Sequence, residues 1–383
     1  MRRIPPLPQL IAITMAAHIA LVATRVTTAL YALSLHASEF TVGILIALFA
    51  FFPMFFAVSM GRLIDRIGIK RPLTYGSLLL VAGCAIPSLI GGLPVLYLAA
   101  ILIGTGFMAI HIGSQHAVGA MTTPDKRSVN FTWLSLGFSV SSFFGPVIAG
   151  LVIDFSQFSI AYAVSGGFAL LSLALIAFGK LDRIMLAQRN TATANGSAFD
   201  LLREPDLRKV YVVGILLAAA WDLFVFVTPI RGSQLGLSAS SIGLILGTFS
   251  VATFVVRLAM PRIQRRFTEW QVLAGSLILA AICYAFFPFM QQSISLMILA
   301  AILGLALGSS QPNILGLLHQ AAPPGRGGEA LGIRATIVNA SQVFLPLAFG
   351  AAGATLGLFP VFWGISAMIG AGVPMAWRKA TMK

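Results

Sequence analysis

Twelve runs of about 20 predominantly apolar residues follow one another along the chain, and little lies between them. They fall at about 10–33, 41–60, 73–91, 94–119, 131–153, 158–179, 210–230, 241–260, 271–289, 294–318, 331–353 and 357–377. A helix needs about 20 such residues to cross the hydrocarbon of a bilayer. Inside that hydrocarbon only helices and closed barrels satisfy every backbone hydrogen bond. Period-two alternation is absent, which argues against a barrel. The expected fold is therefore an all-α integral membrane protein with 12 transmembrane helices. Composition agrees, since 58% of the residues are hydrophobic and 9% charged, against roughly 25% charged in a typical globular domain. So few charges cannot cover a soluble fold of this size, which excludes a cytosolic enzyme, and the apolar content excludes disorder. Cys84 and Cys283 both sit inside apolar runs, which argues against a disulfide framework. The first run follows Met1-Arg2-Arg3 as a signal peptide would, but no small-residue cleavage site follows it, so it is read as the first span.

The formal charge of +14 has the look of a nucleic-acid footprint until its distribution is examined. With the N-terminus in the cytoplasm, alternate connections carry 21 of the 25 Lys and Arg, and only Arg231 falls in an opposite connection. Such asymmetry is the positive-inside pattern. It places both termini in the cytoplasm of a plasma membrane, with a bacterial inner membrane expected. No basic patch with interleaved aromatics lies outside the spans, so no nucleic-acid partner is expected.

The longest polar stretch, about 180–209, divides the spans six and six. Across it the sequence repeats. Val42-Gly43-Ile44-Leu45 returns as Ile242-Gly243-Leu244-Ile245, Ala99-Ala100-Ile101-Leu102 as Ala300-Ala301-Ile302-Leu303, and Pro124, Pro146 and Gly150 as Pro324, Pro346 and Gly350, all shifted by about 200 residues. An even number of spans per repeat preserves orientation, so the halves are parallel repeats with substrate expected between them near the midplane. The expected organisation is an N-terminal six-helix bundle over 1–180, a cytoplasmic linker over 181–208 and a C-terminal bundle over 209–383.

Between the second and third spans stands Gly61-Arg62-Leu63-Ile64-Asp65-Arg66-Ile67-Gly68-Ile69-Lys70-Arg71-Pro72. A glycine, an aspartate four residues on, then arginine, glycine and basic residues resemble the cytoplasmic signature loop of the major facilitator superfamily (MFS). The fifth span carries Gly145-Pro146-Val147-Ile148-Ala149-Gly150, similar to the Gly-Pro signature of that superfamily's 12-helix, proton-coupled drug and metabolite exporters. The resemblance implies two six-helix bundles moving by alternating access, a monomer, a small-molecule substrate, protons as coupling ion and no cofactor. It assigns Asp65 and Arg66, with Gly61 and Gly68, to a latch between the halves. Proline bends the fifth span and its glycines admit a neighbouring backbone. The chain departs from similar exporters at Ala100, where they carry an arginine four residues before a glycine, here Gly104.

Charges at membrane depth are costly and are functional candidates by default. Arg25 in the first span and Asp222 in the seventh lie mid-span, and under the 200-residue shift they sit one helical turn apart on equivalent helices. The expectation is that they pair across the central cavity in one access state and separate in the other, with protonation of Asp222 releasing the pair. Thr14, His18, Arg25 and Thr28 share one face of the first span by spacing. His111 and Gln115, Gln311 and Asn313, Asn339 and Gln342, with Trp221, are the other candidate cavity residues. Arg257 is expected to snorkel to the interface. No metal site is expected, because His111 and His116 face different ways.

A secondary transporter explains the repeat, the loop and the mid-span charges together, with export against protons first and facilitated diffusion or uptake second. A polytopic enzyme needs clustered acids, histidines or a nucleophile with its base, and the 11 acids are nearly all in loops. A receptor needs no six-plus-six repeat. No Walker loop is present to support ATP-driven transport by this chain alone.

Overall fold

The computed structural model describes residues 6–121, 127–179, 198–323 and 327–381. Twelve of its helices are long and apolar enough to cross a membrane, and no strand occurs among the described residues. In the first half α1 (Pro6–Ser34), α2 (Glu39–Ile67), α3 (Lys70–Leu89), α4 (Leu93–Met121), α5 (Arg127–Phe155) and α6 (Phe158–Ala177) run up and down. A short α7 (Ala198–Arg203) precedes the second half. That half comprises α8 (Pro205–Gln234), α9 (Ala239–Ile263), α10 (Glu269–Phe286), α11 (Ser293–Ala321), α12 (Gly327–Leu356), and a last span split into α13 (Leu358–Gly370) and α14 (Val373–Thr381). Hydropathy alone predicts one helix over 357–377. The split follows from Pro374, which lacks an N–H and crowds the carbonyl four residues back. The amphipathic α14 is tied to the start of α8 where Lys379 donates to Asp206 at 2.8 Å.

Turn chemistry sets the helix ends. Ser38 and Ser238 cap α2 and α9, each accepting from a backbone N–H three residues on. The residues two positions earlier, His36 and Gly236, both adopt left-handed backbone, with φ of 58° and 67°. Both pairs are separated by 200 residues, so the repeat extends to individual dihedral angles. It extends to packing as well. A Cβ on Gly104 would lie 2.1 Å from the carbonyl oxygen of Phe49, and one on Gly304 2.4 Å from that of Phe249.

Because successive spans reverse direction, the short connections at 35–38 and 235–238 lie at one end of the bundle, here the hairpin end. Among the described residues, the basic connections after α2 and α9 lie at the other. The halves meet along two seams, α2 against α12 and α5 against α9. A Cβ on Gly43 would fall 2.4 Å from the Pro346 oxygen, and one on Gly243 2.4 Å from the Pro146 oxygen. Ala47 and Ala50 pack on Val343. Large apolar side chains such as Phe155, Phe178 and Leu89 face outward, as lipid contact requires.

Candidate functional site

At the centre, where α1 meets α8, a small cavity is lined by Arg25, Val26 and Ala29 of α1, Ile46 of α2, and Val225 and Phe226 of α8. Asp222, one turn before Phe226, accepts a hydrogen bond from Gln342 Nε2 of α12 at 3.2 Å. Arg25 and Asp222 interact electrostatically, yet no ion pair within 4.0 Å joins them among the described residues. The buried Arg25 Nε has no hydrogen-bond partner. The two charges are thus neighbours held apart, with an amide occupying the carboxylate. Asn339, also on α12, is half-buried.

A second cluster lies inside the first half. His18 Nδ1 and Ser141 Oγ of α5 are 2.7 Å apart, and the imidazole packs against Phe107 at 5.3 Å and edge-on to Phe138 at 4.9 Å. The same two rings flank His111, whose Nε2 accepts from Gln115 at 2.9 Å. Thr14 donates to Ser114 of α4 at 2.6 Å, and Thr28 bonds Tyr162 of α6 at 2.6 Å. Thr14, His18 and Thr28 thus bond to groups within their own bundle, while Arg25 lines the small cavity at α8. Asn313 is fully buried and donates to the Ser309 carbonyl at 2.7 Å.

Arg257 of α9 does not snorkel. Its Nη1 donates to Ser139 at 3.0 Å and reaches Ser135 at 3.5 Å, both on α5 of the other half. Its Nη2 donates to Gln311 Oε1 of α11 at 3.0 Å, and its guanidinium carbon stands 6.0 Å from the Trp221 ring. Trp221 in turn meets Phe249 edge-on. A sequence signal was available: Arg257 falls within the 241–260 span, and three serines on α5, Ser135, Ser139 and Ser142, recur at helical spacing. Gln311 is exposed and occupies the position equivalent to His111 under the 200-residue shift. Gln115 is exposed too. Both lie in the halves of α4 and α11 nearer the basic end.

The Gly-Pro stretch of α5 has a packing account. Proline at 146 lacks an N–H, which frees the carbonyl of Ser142 four residues earlier. Ser250 of α9 donates to that carbonyl at 3.0 Å. Gly145 sits against Val22 and Ala23 of α1, and Gly150 against the Ala239 carbonyl of α9. Just beyond, the Asp154 carboxylate accepts from the backbone N–H groups of Ala239 and Ser240 at 2.9 and 2.8 Å, where negative charge meets a helix N-terminus. At the same hairpin end, Glu39 of α2 accepts from Gln234 of α8 at 3.0 Å. In the signature loop, Gly68 ends α2 with φ 80°, whereas a Cβ added at Gly61 would meet nothing within 4 Å. Arg66 is exposed, and the Asp65 side chain lies outside the described residues.

The family model described as Major Facilitator Superfamily matches residues 10–346, and matches again over 210–381. The chain belongs to the major facilitator superfamily. It is an integral membrane transporter of that family. Among curated relatives it is 22% identical over 355 residues to multidrug resistance protein 2 of Bacillus subtilis (strain 168), covering 90% of this chain and 88% of that one. It is 26% identical over 328 residues to the class H tetracycline resistance protein of Pasteurella multocida, covering 80% and 78%. Among solved structures, a mutant of the peptide transporter POT superposes with a TM-score of 0.81 at 14% identity, covering 97% of this chain and 93% of that one. The nucleoside transporter NupG, also as a mutant, gives 0.78 at 12% identity, covering 97% and 98%. At such identities the structural likeness speaks for the fold alone.

Proposed function

We propose that this transporter exports a small molecule in exchange for protons by alternating access. It does so as a monomer in the bacterial inner membrane, with the basic end and both termini in the cytoplasm. The observation that carries the coupling is the placement of Asp222 and Arg25. They face each other across the junction of the two halves without pairing, while Gln342 holds the carboxylate. A protonatable group needs two environments to drive a cycle. Here the carboxylate exchanges Gln342 for Arg25 as α1 and α8 move past each other. The proton enters when the pair breaks and leaves when it re-forms. The hairpin-end seams are closed and the exposed Gln115 and Gln311 lie toward the basic end, so this arrangement is the cytoplasm-facing state.

The names of the relatives, multidrug and tetracycline resistance proteins, support export over uptake. The alternative is a facilitated carrier, which equilibrates its substrate with no response to a proton gradient. Everted membrane vesicles test the difference. With an acidified lumen, wild-type protein accumulates a panel compound and D222N does not. Equal accumulation by both proteins, or accumulation unchanged when nigericin collapses the gradient, refutes the coupling.

A further inference from the structure

The coupling site leaves Arg257 unused. We propose that Arg257 receives the acidic group of the substrate, so that the substrate class is a small aromatic carboxylate. The proposal rests on the transporter reading above and adds the substrate chemistry to it.

Three observations carry the assignment. The guanidinium lies well inside its span, half-buried, and every oxygen it contacts is neutral: Ser139 Oγ, Ser135 Oγ and Gln311 Oε1. No carboxylate stands within 4.0 Å of it among the described residues. A cation that stands inside a span among neutral partners is a functional candidate by default, and its exposed side is open to an anion. Cations also outnumber acids within the spans, where Arg25, Arg257 and Arg334 lie and Asp222 is the carboxylate that interacts with Arg25. A bound carboxylate lowers that excess where Asp222 is already committed to Gln342 and Arg25.

The donor geometry is the second argument. A guanidinium offers five N–H groups in a rigid fork. Nη1 spends both of its hydrogens on the α5 serines and Nη2 spends one on Gln311. Nε and one hydrogen of Nη2 have no acceptor in these contacts, so donors remain on the side of the guanidinium from which a carboxylate can be bound. The serines and the glutamine thus fix the fork while leaving that side free. Third, the Trp221 ring stands beside the guanidinium at 6.0 Å and is itself braced by Phe249. It supplies a flat apolar wall for the body of an aromatic acid. The site takes residues from both halves, α5 on one side and α8, α9 and α11 on the other. A ligand here therefore bridges the elements that must move.

Matched probes test the idea: 4-nitrobenzoate and its amide, which differ in charge and little else, titrated into purified protein in nanodiscs. The nitro group quenches tryptophan, so binding beside Trp221 is read as saturable quenching, with thermal shift as an independent readout. The expected result is saturable binding of the acid, at least ten-fold tighter than the amide. R257Q should weaken the acid at least ten-fold and leave the amide unchanged. R257K, which keeps the charge and loses the fork, should weaken the acid several-fold. W221F should remove most of the saturable quenching while the thermal shift persists. D222N should still bind the acid although it no longer responds to a proton gradient, so the substrate assignment and the coupling assignment fail separately. Equal binding of acid and amide by the wild-type protein overturns the proposal whatever the variants do. So does wild-type affinity for the acid in a folded R257Q protein.

Discussion

Replacing Gly243 with alanine should prise open the hairpin end of one seam. A Cβ there would lie 2.4 Å from the Pro146 oxygen, 3.0 Å from its carbonyl carbon and 3.3 Å from Val147 Cα. All three are backbone atoms, so no side chain can rotate away. Ordinary contact begins near 3.4 Å, and α5 and α9 must therefore separate by about 1 Å. Forced overpacking of this kind costs about 1–3 kcal/mol. Charged against the closed seam alone, that moves the equilibrium between access states about 5- to 150-fold toward opening at this end. Spin labels on cysteines placed at Leu35 and Leu235 report the opening as a longer distance distribution. Cys84 and Cys283 are free but buried, so reagents reach the introduced thiols selectively. G43A should act alike on the other seam, because its Cβ would meet the Pro346 oxygen at the same 2.4 Å. G275A is the control, with nothing within 4 Å. Unchanged label distances in both G243A and G43A would refute the claim that these glycines close the hairpin end.

Other consequences follow from single contacts. S250A leaves the Ser142 carbonyl, already deprived of its helical donor by Pro146, without its partner. Thermal unfolding should show a loss of about 0.5–1.5 kcal/mol, and P146A, which restores the helical N–H, should reduce that loss in the double variant. D154N weakens two hydrogen bonds at the α9 N-terminus. The group is solvent-exposed, so its effect on the label distances should be small and should shrink further at high salt, in contrast to G243A. G68A places a side chain at φ 80° and should destabilise the α2 end by about 1 kcal/mol, whereas G61A, which meets nothing, should be silent in the same melt.

Hydropathy made the spans legible because it reads depth. Twelve runs of the right length had one physical solution, and the 200-residue shift marked two related halves, a repeat that the structure extends to the Ser38 and Ser238 caps. Rotation about each helix axis was not legible. Lipid-facing and protein-facing surfaces in a membrane are both apolar, so a span carries little amphipathic signal to say which way a polar residue points. This is why Thr14 and Thr28, at the right spacing to join Arg25, turn out to bind Ser114 and Tyr162 within their own bundle. The partners of Arg257 were hidden for a related reason: its span is predominantly apolar on all sides in sequence, and Ser135 and Ser139, which accept from it, belong to α5 of the other half. The Gly-Pro stretch was recognisable as a motif, but its partners, Ser250 for the Ser142 carbonyl and Ala239 for Gly150, come from a helix some 100 residues away. Asp222 and Arg25 stand out in the sequence because a mid-span charge needs no partner to be conspicuous.

The central claim is that substrate moves one way as protons move the other through Asp222. Proteoliposomes loaded with pyranine report it directly, using whichever panel compound the vesicles accumulate. Adding the compound outside should raise the lumenal pH in the wild-type protein, in either orientation of insertion, because entry of substrate expels protons. D222N should give no pH change. A fall in lumenal pH would mean co-transport in the same direction, no change in the wild-type protein would mean an uncoupled carrier, and a wild-type response in D222N would remove Asp222 from the mechanism.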